Sequence, residues 1–348
     1  MAVGGLLLLG AAAALLWFGS DRRPVETLEQ KRTYDTTPAP AEQDTFTVVS
    51  YNLGGVAPED GASVEPDSAS SFDRATALLR SVEPDFVALQ DMRLPDGDPP
   101  LDAMARRLNA AASAVAGRRD DRLSSMWARL GGRPLASGQV LLSRFPIRRH
   151  ARRPIDRDSS SFWGRFAQAE PVVQVAVVGI GGWPLVVMNV NLDAVDATAR
   201  KRQARAVNRL YRRISNQGLP VLVLGSIGPS RPEDRAALPD TETRRLLLRG
   251  TNLQPAIYAE SALVSGRAVA TYPATDPERK LDHIFYSPSL VVPTEAHVRC
   301  GGASPPSDHC AISFSFLLPR PVDQLPDTQI PDEKLPSLDR LLTPASGA

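Results

Sequence analysis

The chain has 348 residues, 43% hydrophobic and 23% charged, which is the balance of a folded protein and not of a disordered one. A chain of this length buries a sizeable core without disulfides or a structural metal. The formal net charge of +1 excludes a global basic field that would draw nucleic acid, so nucleic acid is not favoured as a partner. Only four of the 40 basic residues are lysines (Lys31, Lys201, Lys280, Lys334), and this arginine bias reads as compositional.

Residues 3–19 form an uncharged apolar run, about the minimum length for a membrane span. No basic segment precedes it, and Trp17 and Phe18 crowd the small residues that a cleavage site would need. Residues 1–20 therefore read as an N-terminal membrane anchor, with a signal segment and an exported soluble form as the alternative. Arg22 and Arg23 would favour the cytoplasmic side for the domain beyond them. Residues 21–44 are polar and read as a linker, and 319–348, rich in Pro and charge, as a disordered tail that a protein partner could take.

Between 45 and 318 short apolar runs alternate with amphipathic ones. FTVVSYNL predicts a strand, and Phe72, Ala75, Leu78, Leu79 and Val82 recur at helical spacing. DFVALQ predicts a strand, and LDAMARRLNAAASAV a helix over 101–115. Strands follow at GQVLLS, PVVQVAVVGI and PLVVMNVNL, a helix over about 197–215, a strand at PVLVLGS, a helix over 240–250, and strands at LDHIFYS and AISFSFLL. So many strands with so few helices predict two sheets packed face to face, with helices outside. Cys300 and Cys310 flank a short loop and match no zinc spacing. They read as two buried thiols, with a disulfide as the alternative for an exported domain. His150 and His297 read as surface residues, His283 as structural, and the Arg148–Arg149 and Arg152–Arg153 pairs as a solvated face.

Polar residues end the apolar runs in a fixed order: VVSYNLGG, FVALQDM, SGQVLLSRFPI, VVMNVNLDA, VLVLGSIGPS, TYPATDPERKLDHIFYS and PPSDHCAISF. This order resembles the endonuclease/exonuclease/phosphatase family. The resemblance covers roughly residues 45–318. It implies a DNase I-like, four-layered α/β sandwich with one site between its sheets, and phosphoester hydrolysis by activated water with Mg²⁺ or Mn²⁺. A phosphoester anion repels hydroxide, so such a site must neutralise charge and deprotonate water together.

By the same resemblance Asn52 stands near metal and phosphate. Asp91 takes the place of a metal-binding Glu, one methylene shorter. Asn191 stands where the family often has His, with Asp193 nearby as polar support. Ser226 and Gly228 replace the Asp and Asn of a G-D-x-N motif that orient the nucleophile or hold the phosphate. Asp282 partners the base, Asp308 supports the metal, and His309 is the general base. These departures leave three readings: a divergent, membrane-tethered phosphoesterase with Asp193, Ser230 or Asp234 recruited; a pseudoenzyme that binds a phosphorylated ligand; or a protein-interaction module.

Overall fold

The computed structural model describes residues 31–36, 43–54, 70–93, 99–116, 137–155, 171–180, 183–228, 241–257, 269–288, 291–318 and 338. One sheet has seven strands in the order β1 (Lys31–Thr33), β4 (Ala112–Ala116), β5 (Ser137–Ser143), β3 (Phe86–Arg93), β2 (Thr45–Asn52), β13 (Ala311–Leu317) and β12 (Val292–Arg299). The other has six: β10 (Gln254–Pro255), β11 (Asp282–Tyr286), β9 (Val221–Ser226), β8 (Trp183–Asn191), β7 (Val172–Ile180) and β6 (Ile147–Pro154). Both sheets are mixed, with β2–β3 and β8–β9 parallel and their other pairings antiparallel.

Side chains alternate between the two faces of a strand, so residue parity assigns the layers. Phe46, Val48, Phe86, Leu185, Leu222, Ile284, Phe314 and Phe316 fill the space between the sheets. The opposite parity of the seven-stranded sheet (Val49, Val87, Leu89) packs on α1 (Ser71–Arg80) and α2 (Pro99–Arg107). That of the six-stranded sheet (Val186, Val221, Val223) packs on α3 (Ala197–Ser215) and α4 (Thr241–Leu248). The result is the four-layered α/β sandwich that the sequence predicts.

The inter-sheet core carries a ladder of buried polar side chains. Gln90 donates to Ser50 Oγ at 3.2 Å and to Asn189 Oδ1 at 2.8 Å, and Asn189 donates to Gln174 Oε1 at 3.0 Å and Leu89 O at 3.0 Å. Gln174 meets His150 Nε2 at 3.1 Å and donates to Ala114 O at 2.9 Å. His150 is thus buried, not on the surface. A register shift between Ile147 and Arg149 inverts the strand's parity and turns the ring inward among flanking arginines.

Three further expectations change. The helix predicted over 101–115 stops at Arg107, because Asn109 takes φ 53° and the backbone leaves the helical path. The alanine-rich remainder is β4, paired with β5. Residues 31–36, within the stretch read as linker, lie on the domain: β1 pairs with β4, and Tyr34 Oη donates to Asp102 at 2.9 Å. Cys300 and Cys310 form a disulfide and are not free thiols, since the β12–β13 hairpin brings their Cα atoms to 4.1 Å. Among the described residues no helix is long and apolar enough to cross a membrane. The apolar run 3–19 lies outside the described residues, and so does the tail except for Leu338, which is buried in the α3–α4 core.

Candidate functional site

Three strands of the six-stranded sheet end in one row. Asn191 of β8 is in register with Ser226 of β9, and Ser226 with Asp282 of β11. Each shares the parity of core residues on its own strand (Val187, Leu224, Ile284), so the row faces the other sheet. On that facing sheet Asn52 is in register with Gln90. The loop before β13 returns to the same place, because Ser307 Oγ donates to Asn52 O at 2.8 Å and accepts from His309 N at 3.1 Å.

Asp282 and His309 meet across the two sheets. His309 Nδ1 lies 2.8 Å from Asp282 Oδ2, with side-chain exposures of 7% and 1%. Asp282 is fixed from behind by Thr271, whose Oγ1 accepts from the backbone N–H of both Leu281 and Asp282 at 3.1 Å. The imidazole packs on Tyr272, ring centroids 4.9 Å apart, and the Arg279 guanidinium lies 4.7 Å from the centroid of that tyrosine. Burial pulls the His309 pKa down, but Asp282 first, then Asp308 and Asp91, outweigh it, and the net shift is upward. With Nδ1 bound to Asp282, Nε2 is the nitrogen left to exchange a proton with a reactant.

Asp91 owes its position to a bulge. Leu89 and Met92 both face the helix layer although they are three residues apart, and the register with β5 shifts between them. The extra residue is absorbed where Asp91 takes φ 51°, which re-aims its side chain. Asn52 Oδ1 accepts from Gly54 N at 2.9 Å, closing a tight turn. Gly54 has φ 56°, and a Cβ there would run into the Asp308 carboxylate, so that carboxylate lies directly on the turn. Tyr51 packs in the helix-side core, with its hydroxyl buried and without a hydrogen-bond partner. Burial, then Asp308 and Asp282, push its pKa far up, so the phenol stays a proton donor.

Among the described residues no three His, Cys, Asp or Glu side chains converge as a metal cage. Hard oxygen donors do gather: the carboxylates of Asp91 and Asp308, each close enough to raise the pKa of His309, and the amide of Asn52. Asp282 Oδ1 is buried and has no hydrogen-bond partner. Mg²⁺ takes one or two carboxylates and keeps several waters, so the donors suit such a cation in kind, as an open site and not a closed one.

The rest of the row is closely packed. Ser226 is buried at 5% exposure. A Cβ on Gly228 would meet Leu281 Cδ2 at 2.7 Å, so Leu281 fills the space that a longer residue at 228 would use. Asp193 shapes the turn into α3, since its Oδ1 accepts from Val195 N and Asp196 N, both at 2.8 Å. Ser230 and Asp234 lie outside the described residues. His283, one residue after Asp282, points to the helix layer and stacks on Phe285, and His297 pairs with Glu295 on β12. Tyr272, Thr271 and Ser307 escaped the sequence reading. The two in TYP look like turn chemistry, and Ser307 shows only as the residue before Asp308.

A family profile described as "Endonuclease/Exonuclease/phosphatase family" matches residues 49–227. Curated protein sequences give no match. Among solved structures, a protein described as an endonuclease/exonuclease/phosphatase from Bacteroides vulgatus is 17% identical, with a TM-score of 0.55 over 80% of this chain and 100% of that one. The mannosyl-6-phosphatase Bt3783 of Bacteroides thetaiotaomicron is 17% identical, with 0.54 over 78% and 100%. Truncated TDP2 of Caenorhabditis elegans is 18% identical, with 0.52 over 78% and 97%. At these identities the likeness to solved structures is one of fold. The chain belongs to the endonuclease/exonuclease/phosphatase family.

Proposed function

We propose that the protein is a membrane-tethered phosphoester hydrolase with a rearranged site, in which His309 and Asp282 activate the attacking water. The observation that carries this reading is the 2.8 Å bond between them, a buried pair whose halves come from opposite sheets at the mouth of the sandwich. His309 Nε2 takes a proton from water as its oxygen bonds to phosphorus and the ester P–O bond breaks. Asp282 holds the ring and stabilises the imidazolium that results. Tyr51, kept protonated, adds no further negative charge beside Asp308 and Asp282. A divalent cation, Mg²⁺ or Mn²⁺, would be held by Asp91, Asp308 and Asn52, and would supply charge neutralisation for the phosphoester. The row partners Asn191 and Ser226 face the position of the ester and offer hydrogen bonds to it. Gly228 leaves no side chain there. The apolar run 3–19 would hold the domain at a membrane.

A second reading has its own observation. With Leu281 against Gly228 and Ser226 in place of a carboxylate, the site can retain a phosphorylated ligand without turning it over. One experiment separates the two: hydrolysis of an aryl phosphodiester and an aryl phosphomonoester by the full chain with Mg²⁺ or Mn²⁺, beside His309→Ala. Metal-dependent turnover that the variant lacks supports the hydrolase. Binding of inorganic phosphate without turnover above the variant supports the binding protein.

A further inference from the structure

The two outer helix layers carry different charge. On one side α1 and α2 are mixed and ion-paired: Arg107 meets Asp73 at 2.6 Å, and Arg32 of β1 meets Asp102 at 2.9 Å. On the other side α3 has seven Arg or Lys among its 19 residues and no acid, in a chain with 40 basic and 39 acidic residues overall. Arg205, Arg209 and Arg212 are exposed at i, i+4 and i+7, and so form one ridge. Like charges at these spacings repel, and no acidic side chain among the described residues pairs with the three; Glu242 of α4 is taken by Lys201 at 2.5 Å. Exposed Arg245 and Arg249 extend the basic face onto and just beyond α4.

A face of this kind calls for an anionic partner, and the chain favours a lipid surface. Nucleic-acid grooves interleave basic residues with aromatic side chains that stack on bases, whereas the sole aromatic of α3, Tyr211, is buried. The apolar run ends at Gly19 and the fold begins by Lys31, so about eleven residues join them, at most about 40 Å when fully extended. A domain held on so short a tether must present some face to the bilayer. Among the described residues the α1–α2 layer has two exposed arginines outside any ion pair, Arg80 and Arg106, whereas the α3–α4 layer has five, Arg205, Arg209, Arg212, Arg245 and Arg249, and a cluster of four or more exposed Arg suits anionic headgroups.

We propose that the outer face of α3 and α4 docks on an anionic phospholipid bilayer. The proposal rests on the tethered reading of residues 3–19 and not on hydrolysis. The full chain is placed in nanodiscs of neutral phospholipid or of neutral and anionic phospholipid, with quenchers on the headgroups. Both native cysteines are in the disulfide, so Gln217→Cys, just after α3, and Arg80→Cys, at the end of α1, can each carry a single fluorophore.

The label at 217 is expected to be quenched on anionic discs, much less on neutral discs, and released by about 0.5 M salt, where the Debye length falls to a few ångströms. Arg205→Gln, Arg209→Gln and Arg212→Gln together should lower the ratio of docked to undocked domain on the order of a hundredfold, from about fivefold per residue. Their exposure protects the fold, which circular dichroism checks. Equal quenching on both kinds of disc, equal quenching of the label at 80, or none at 217 on anionic discs overturns the proposal. So does retention of a duplex oligonucleotide by this face without quenching on discs, which would assign it to nucleic acid. A failed tether shows separately, as chain recovered free of neutral discs, and docking is then read on anionic discs alone.

Discussion

His309 Nδ1 lies 2.8 Å from Asp282 Oδ2, yet His309 belongs to the loop entering β13 of one sheet and Asp282 opens β11 of the other. Neither sheet alone holds the pair. The upward shift of the imidazole pKa means that the neutral form needed to accept a proton prevails only above the ordinary value of about 6.5. The acid limb of kcat/KM is therefore expected above pH 6.5. Asp282→Asn should move that limb down in pH while lowering the plateau by on the order of 10² to 10⁴-fold. A pH–rate profile of both forms checks this, and an unmoved limb would separate His309 from the rate.

Placing a carboxylate in the row tests whether one more charged contact strengthens the site. Ser226→Asp should raise metal-dependent hydrolysis, by on the order of 10²-fold if one preorganised electrostatic contact is gained. Gly228→Asn alone should add nothing, because Leu281 occupies its space. Paired with Leu281→Ala it should add to the rate of Ser226→Asp. Steady-state kinetics of the three variants beside the parent decide it, and Gly228→Asn succeeding alone would contradict the packing described.

The Cys300–Cys310 disulfide closes a short loop that carries Asp308 and His309. Cys300→Ser with Cys310→Ser is expected to destabilise the fold by about 2–4 kcal/mol. Because the loop carries His309, kcat should fall more than the loss of folded protein explains. Urea unfolding and kcat per folded molecule give the two numbers, and an unchanged kcat would leave the bond a purely structural staple.

His283 predicts a pH dependence of stability with a definite sign. Burial, then Lys280 and Arg244, hold its pKa well below the ordinary value, so the folded protein keeps the ring neutral. The unfolded chain takes up a proton below about pH 6.5 and the folded one does not. Stability from this group is thus present above about 6.5 and is lost as pH falls toward the folded value, with a limiting slope of about 1.4 kcal/mol per pH unit. His309 has the opposite sign: its contribution is full below about 6.5 and fades as pH rises through its higher folded value. His283→Gln should therefore flatten the acid side of a plot of unfolding free energy against pH and leave the alkaline side alone. A variant as acid-sensitive as the parent would refute the assignment.

Much of this fold is legible in the sequence, because strand parity and helical spacing come directly from where apolar side chains stand. The polar strand ends were legible for the same reason: Asn191, Ser226 and Asp282 continue an inward parity that Val187, Leu224 and Ile284 make apolar. What hid was governed by local backbone breaks. Ala112–Ala116 carries a helix former's composition, and only the φ of Asn109 hands it to a sheet. His150 sits among arginines, and only the register shift before it turns it inward. Tyr272 and Thr271 touch the dyad through a loop whose path no period encodes.

The amide ladder between the sheets bears on the dyad as well. Gln90 reaches across to Asn189, Asn189 back to Leu89 O, and Gln174 to Ala114 O. Apolar sheets can slip past one another at little loss, since oil fits oil in many registers. These bonds fit in one register alone, and a slip by one residue would strand each buried amide at about 1–3 kcal/mol per group. The ladder is a keyway: it locks the lateral offset of the two sheets, and with it the separation of Asp282 and His309, which the chain places on opposite sides of the joint.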